Sequence, residues 1–191
     1  MKDIMKLALR LIIITAAAGL LLGLTYNATK EPIAYQEELS KSEARMAVLS
    51  QATDFEEFDL TAVSLEDAYA DITEVYIGLN DGQTVGATIS FDTTGYSSGL
   101  NLTVGIAQDG TIAGVDIVSH GETPGLGAKA DDAEYLAQYI GKSGELSVVK
   151  TEPSADSQIQ AVTGATITSS AIADAVNAAQ QFYQEYLAKG V

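Results

Sequence analysis

Lys2, Lys6 and Arg10 precede a run of apolar residues, LIIITAAAGLLLGL, at positions 11–24. Extended to Leu7 and Tyr26, this run is about 20 residues long, enough for a helix to cross a bilayer core. Arg10 can snorkel to the headgroups at one end, and Tyr26 suits the interface at the other. A buried core helix would not need the basic cluster before it or the polar shift after it. A cleaved signal peptide would need a small-x-small site, and Thr25-Tyr26-Asn27-Ala28-Thr29-Lys30 supplies a poor one. The pattern predicts an uncleaved, single-pass signal anchor. By the positive-inside rule its N-terminus is cytoplasmic and the C-terminal bulk of the chain is extracytoplasmic.

Residues 31–50 alternate at helical spacing, with Ile33, Leu39, Met46 and Leu49 apolar, and Pro32 suits a first helical turn. They predict a helical stalk, entered through Pro32 and continuing out of the membrane helix. Residues 51–70 predict an acidic connection with a helical turn around 65–69. A β-region follows. Residues 74–79 and 84–91 flank Asn80-Asp81-Gly82-Gln83, and residues 102–107 and 111–118 flank Gln108-Asp109-Gly110, so two hairpins are expected. Residues 130–139 read as helix and 146–150 as a short strand. Residues 166–187 read as a closing helix whose apolar face carries Ile172, Val176, Ala179, Tyr183 and Leu187. The fold class is α+β: one N-terminal transmembrane helix, then an antiparallel sheet with packed helices. The expected parts are an anchor (1–28), a stalk and connection (29–70) and a folded domain (71–191).

Composition narrows the chemistry. The 191 residues include no cysteine and one histidine, His120, which excludes cysteine-ligated clusters, disulfides and a multi-histidine metal site. The net charge of −16 comes entirely from the part after residue 26, the first 26 residues being net positive, and such an acidic surface repels a phosphate backbone and argues against nucleic acid as a partner.

Two segments carry candidate chemistry. Ala161-Val162-Thr163-Gly164-Ala165-Thr166-Ile167-Thr168-Ser169-Ser170 is a hydroxyl-rich elbow at the start of the closing helix. Unpaired N–H groups and the helix dipole favour an anion there. Alternatively Thr163, Thr166 or Thr168 is an ordinary N-cap. His120-Gly121-Glu122-Thr123-Pro124-Gly125-Leu126-Gly127-Ala128-Lys129 is a loop whose backbone can approach a ligand closely, or simply a connection. Alone, His120 is more often a scaffold residue than a catalyst, and Glu122 either bonds a ligand or caps the turn.

An anchor followed by HGETPGLG and, some forty residues on, by TGATITSS resembles the FMN-binding domain family. That family includes the G subunit of the Rnf ion-translocating electron-transport complex and the C subunit of the sodium-translocating NADH:quinone oxidoreductase. Thr94-Gly95-Tyr96-Ser97-Ser98-Gly99-Leu100 resembles the family's glycine–tyrosine loop, and residues 135–142 resemble its helix ending in a glycine–lysine pair. The short chain is more similar to the Rnf member. The resemblance implies FMN joined through its phosphate to Thr166 by a flavin transferase, with Gly164 and Ala165 leaving room and Thr163 bonding the phosphate or capping the helix. It implies Glu122, Thr123, Leu126 and Gly127 along the flavin ring, Lys142 offsetting charge, and Tyr96 and His120 at the site. The family's modification signature usually has an aspartate six residues before the modified threonine. Here Gln160 stands there; either glutamine serves or Asp156 substitutes from outside the motif.

The expected role is an electron carrier held near other membrane subunits, with no catalytic residues of its own. Two other readings stay open. One is an anchored, non-redox ligand-binding or adaptor module. The other is an extracytoplasmic flavin enzyme acting on a small acceptor.

Overall fold

The computed structural model describes residues 2–63 and 67–188. Helix α1 spans Lys2–Val48, with Pro32 inside it. The chain divides into two compact units, residues 1–40 and 41–191. In the first, an 18-residue window of high hydropathy has none of its surface buried within the protein. Leu11, Ile12, Ile13, Ile14, Leu20 and Leu21 are all exposed, so the segment needs an apolar surrounding. Anchor and stalk form one helix, the stalk continuing out of the apolar segment, with Pro32 inside it rather than at a helix start. Pro32 removes a single i→i−4 hydrogen bond, and no other proline and no glycine interrupts residues 25–48.

The second unit takes in the last turns of α1 and strand β1 (Asp54–Glu57), which the sequence pattern assigns to stalk and connection. Asp67–Tyr69 form a 3-10 turn; the rest of the turn expected around 65–69 lies outside the described residues. Strands β2 (Ile72–Asn80), β3 (Gln83–Thr94), β4 (Ser98–Ala107) and β5 (Ile112–Ser119) complete a five-stranded antiparallel meander in chain order. Asp81 and Gly82, at φ 51° and 77°, make the two-residue turn that matches the strand twist.

Alternation gives the sheet two unlike faces. Val75, Ile89, Val104 and Val115 form one row across β2 to β5, all buried, with Ile72, Phe91, Leu102 and Ile117 in the next. Helix α3 (Thr166–Phe182), continued by a π-turn at Tyr183–Leu187, joins this core. The predicted face holds: Ile172, Val176, Ala179, Tyr183 and Leu187 are all buried.

The opposite face is polar and glycine-rich. Glu74, Ser90, Thr103 and Asp116 form one row, and Tyr76, Thr88, Gly105 and Gly114 the next. The end of α1 lies on it. Val48 sits so close to Gly105 and Gly114 that a Cβ on Gly114 would come within 2.8 Å of its Cα, and Leu49 fills the space beside Gly78. Lys41 and Arg45 pair with Glu74, and the Arg45 guanidinium lies 4.2 Å from the Tyr76 ring centre. Burial dominates this contact. Val48 and Leu49 are almost fully buried, contributing about 1.5–3 kcal/mol each. A pair as exposed as Lys41–Glu74 contributes about 0–1 kcal/mol.

The segment before the elbow is more broken than expected. Residues 127–139 form a 3-10 turn at Gly127–Asp131, a single α-turn α2 (Ala133–Leu136) and another 3-10 turn, interrupted where Asp132 turns extended. Strand β6 (Ser147–Val149) matches the expected strand. It pairs in parallel with β7 (Gln158–Gln160), which is too short for its pattern to reveal. β7 feeds directly into the elbow.

Gly105→Val should push the end of α1 off the sheet, because a Cβ at 105 would overlap the Val48 carbonyl. A loss of about 1–3 kcal/mol is expected, measured as a lower Tm of the full chain in detergent.

Candidate functional site

Helix α3 opens without a side-chain cap. Ala165 occupies the N-cap position, in a non-helical conformation and with no side chain able to accept a bond. The turn before it is closed by the Ala165 N–H donating to the Val162 carbonyl at 2.9 Å, with Gly164 at φ 81°. Neither Thr163, Thr166 nor Thr168 caps the helix, so its first N–H groups are open to an outside acceptor.

Two buried networks fix this elbow. On one side, Ser169 Oγ accepts the Val162 N–H at 3.0 Å, and the Tyr135 hydroxyl, 3.1 Å from that of Tyr139, lies close by. Burial pushes both tyrosine pKa values up, so both stay neutral hydroxyls. On the other side, Thr168 Oγ1 donates to Glu122 Oε2 at 2.9 Å, while the Ser97 N–H donates to Glu122 Oε1 at 3.1 Å. Glu122 is only 6 % exposed. It joins three segments: the β3–β4 loop, the glycine loop after β5 and the first turn of α3. Gly95 and Gly127 permit this, since a Cβ on either would meet the Glu122 carboxylate.

Between these segments lies a cavity of about 390 Å³ lined by Tyr96, Glu122, Thr123, Leu126, Gly127, Gly164, Ala165, Thr166, Ile167 and Thr168. Its size lies in the range of small-molecule and cofactor sites. Tyr96, Leu126 and Ile167 are exposed at its edge. Of the residues the sequence singled out, Tyr96, Glu122, Thr123, Leu126, Gly127, Gly164, Ala165 and Thr166 come together here.

Three do not line the cavity. Thr163 is exposed in a separate groove with Lys129, Tyr135 and Gln160. The Lys142 ammonium donates to the Asp156 carbonyl and holds the loop before β7. His120 Nδ1 accepts the Glu122 N–H at 3.3 Å, and its Nε2 lies 3.9 Å from Asp131, so it braces the glycine loop from behind. Sequence reasoning missed Ile167 and the Thr168–Glu122 bond. The spacing of hydroxyls at 166 and 168 was visible, but no local signal marks a partner 46 residues away.

The comparisons with known proteins fit this geometry. Residues 95–181 match the FMN-binding domain family, a span that encloses every residue lining the cavity. The fold and site therefore define an FMN-binding domain. The G subunit of a Na(+)-translocating ferredoxin:NAD(+) oxidoreductase complex from Acetobacterium woodii is 39% identical over 193 residues, covering 96% of this chain and 93% of that one. The G subunit of an ion-translocating oxidoreductase complex from Methanosarcina acetivorans is 32% identical, covering 95% of each. Among solved structures, the crystal structure of the C subunit of the Na(+)-translocating NADH-quinone reductase from Parabacteroides distasonis shares the fold. It is 19% identical with a TM-score of 0.58, over 80% of this chain and 94% of that one. The chain belongs to the family of G subunits of ion-translocating oxidoreductase complexes, and its apolar helix makes it a membrane-anchored member.

The residues present fit FMN. An uncapped helix start suits the phosphate, and glycines at 127 and 164 leave parts of the cavity wall without side chains.

On the polar face of β5, burial pushes the Asp116 carboxyl above its ordinary value of 3.8. It does the same to Asp131, partly offset by His120. A carboxyl whose pKa is raised on folding binds its proton more tightly in the native state, so it costs stability as pH rises through and above the ordinary carboxylate range. Asp116→Asn should therefore raise Tm near neutral pH. The gain should shrink as pH falls toward about 4, read by thermal unfolding across that range.

Proposed function

We propose that this chain carries FMN as a phosphoester on Thr166 and relays electrons within an Rnf-type ion-translocating complex. The observation that carries the reading is the position of Thr166. It is the first residue of an uncapped helix and also lines the cavity. A phosphodiester there keeps a negative charge beside open N–H groups, the arrangement a helix start favours. FMN would supply the one-electron chemistry that the side chains of this chain lack.

The residues divide the work. Gly164 and Ala165 keep the approach to Thr166 clear. Thr123, Leu126, Gly127 and Ile167 wall the ring. Glu122 and Thr168 hold the glycine loop against the helix, and His120 and Lys142 act as scaffold.

The attachment would need a flavin transferase. Gln160 occupies the position where the family's signature usually has aspartate. Its backbone is fixed by Gln138, which accepts the Gln160 N–H at 2.8 Å, while its side chain is exposed beside Thr163. That surface is where a transferase would read the motif. The basic residues before the apolar helix support a cytoplasmic N-terminus and an extracytoplasmic FMN domain. The other subunits of the complex would then receive or supply the electrons. A tether suits that side of the membrane, because it keeps the flavin at high effective concentration near its partners.

Co-expression with the flavin transferase should add the mass of one FMN less water and give in-gel fluorescence. Thr166→Val should lose both, and an unmodified wild-type chain would end the covalent reading. A reporter that is active only outside the cytoplasm, fused to the C-terminus, should be active; activity of a cytoplasmic reporter would reverse the topology.

A further inference from the structure

We propose that Glu122 is a potential-setting residue: its carboxylate opposes the arrival of electrons in the cavity and holds the flavin's reduction potential low. The inference rests on the reading that FMN occupies this cavity.

Glu122 is the one charged side chain among the described residues lining the cavity. At 6 % exposure, little water reaches it to screen its charge. It cannot swing away. Ser97 N–H and Thr168 O–H hold its two oxygens at 3.1 and 2.9 Å, His120 holds its N–H, and Gly95 and Gly127 close on it. Both donors to the carboxylate are neutral, and no ion pair joins it to a cation among the described residues. Glu74, by contrast, is paired with both Lys41 and Arg45. Burying a carboxylate without a cation is costly, and a leucine or glutamine could fill the same space. The arrangement therefore preserves a negative charge at the wall, beyond what packing requires.

Reduction of a flavin adds electron density to its ring, and a fixed anion nearby makes that step less favourable. At an effective dielectric constant of about 20, a unit charge changes such an equilibrium about tenfold out to about 12 Å. That distance spans a cavity of this size.

The test is a spectroelectrochemical titration of the full-length, flavin-loaded chain in detergent. Glu122→Gln keeps the shape and can still serve both neighbours, because Thr168 can turn its hydroxyl to accept from the amide. It should shift the reduction equilibrium about tenfold toward the reduced form, about 59 mV for a one-electron step. Thr168→Val removes a donor that draws charge from the carboxylate, so it should move the potential in the opposite direction. This second variant decides the matter if Glu122→Gln does not fold. Flavin present in both proteins with Glu122→Gln at the wild-type potential would overturn the proposal. So would Thr168→Val with an unchanged or raised potential. A wild-type chain without flavin would instead overturn the FMN reading on which the proposal rests.

Discussion

The packing of α3 against the inner face of the sheet is the contact on which the rest depends. Ile172, Val176, Ala179 and Phe182 are fully buried there, and each contributes an apolar increment that no surface bond in the chain matches. The same helix begins at the cavity. Its register on the sheet sets where Thr166 points and puts Thr168 against Glu122 and Ser169 under the Val162 N–H. The site thus borrows its rigidity from the core. A shift of α3 along the sheet would expose apolar surface and break both buried networks at once.

Glycine serves the two faces of the sheet differently. On the outer face, Gly78, Gly105 and Gly114 remove side chains where the end of α1 must lie. At the cavity, Gly95 and Gly127 remove them where a carboxylate must sit. Neither use involves a left-handed backbone. Both are matters of close approach, and sequence reading finds that use hardest to separate from turn glycines such as Gly82 or Gly164.

The legible parts of this chain were those with local causes. The hairpin at Asp81-Gly82, the apolar face of α3 and the apolar span of α1 each follow from a period or a turn that a few neighbouring residues define. The site was half legible. The elbow and the glycine loop stood out by composition and by their likeness to a family, and most of their residues do meet at one cavity. What escaped was decided at a distance. Lys142 lies outside the cavity, its ammonium donating to the carbonyl of Asp156, fourteen residues on, a partner no local pattern marks. Strand β7 is three residues whose only cause is its pairing with β6. The place of Pro32 inside α1, not at a helix start, escaped because a proline that starts a helix and one that merely costs it a hydrogen bond look alike in sequence.

The electrostatics of the elbow run against those of the chain as a whole. The chain has 26 acidic residues, and helix starts usually attract them. Yet residues 161–173 contain no charged residue, and the first turn of α3 has no acid. An aspartate at 165 would cap the helix and stabilise it, and it would also occupy the place of an incoming anion. Leaving the cap to alanine forgoes about 1 kcal/mol of helix stability, which the buried face of α3 more than offsets. The acid that does approach this helix, Glu122, comes from another segment. It bonds the side chain of Thr168, so it leaves the N–H groups at Thr166 open. The first turn of α3 therefore keeps its backbone N–H groups open to an anion while the Glu122 carboxylate takes its bonds from the Thr168 hydroxyl and the Ser97 N–H, so the two do not compete for one set of donors.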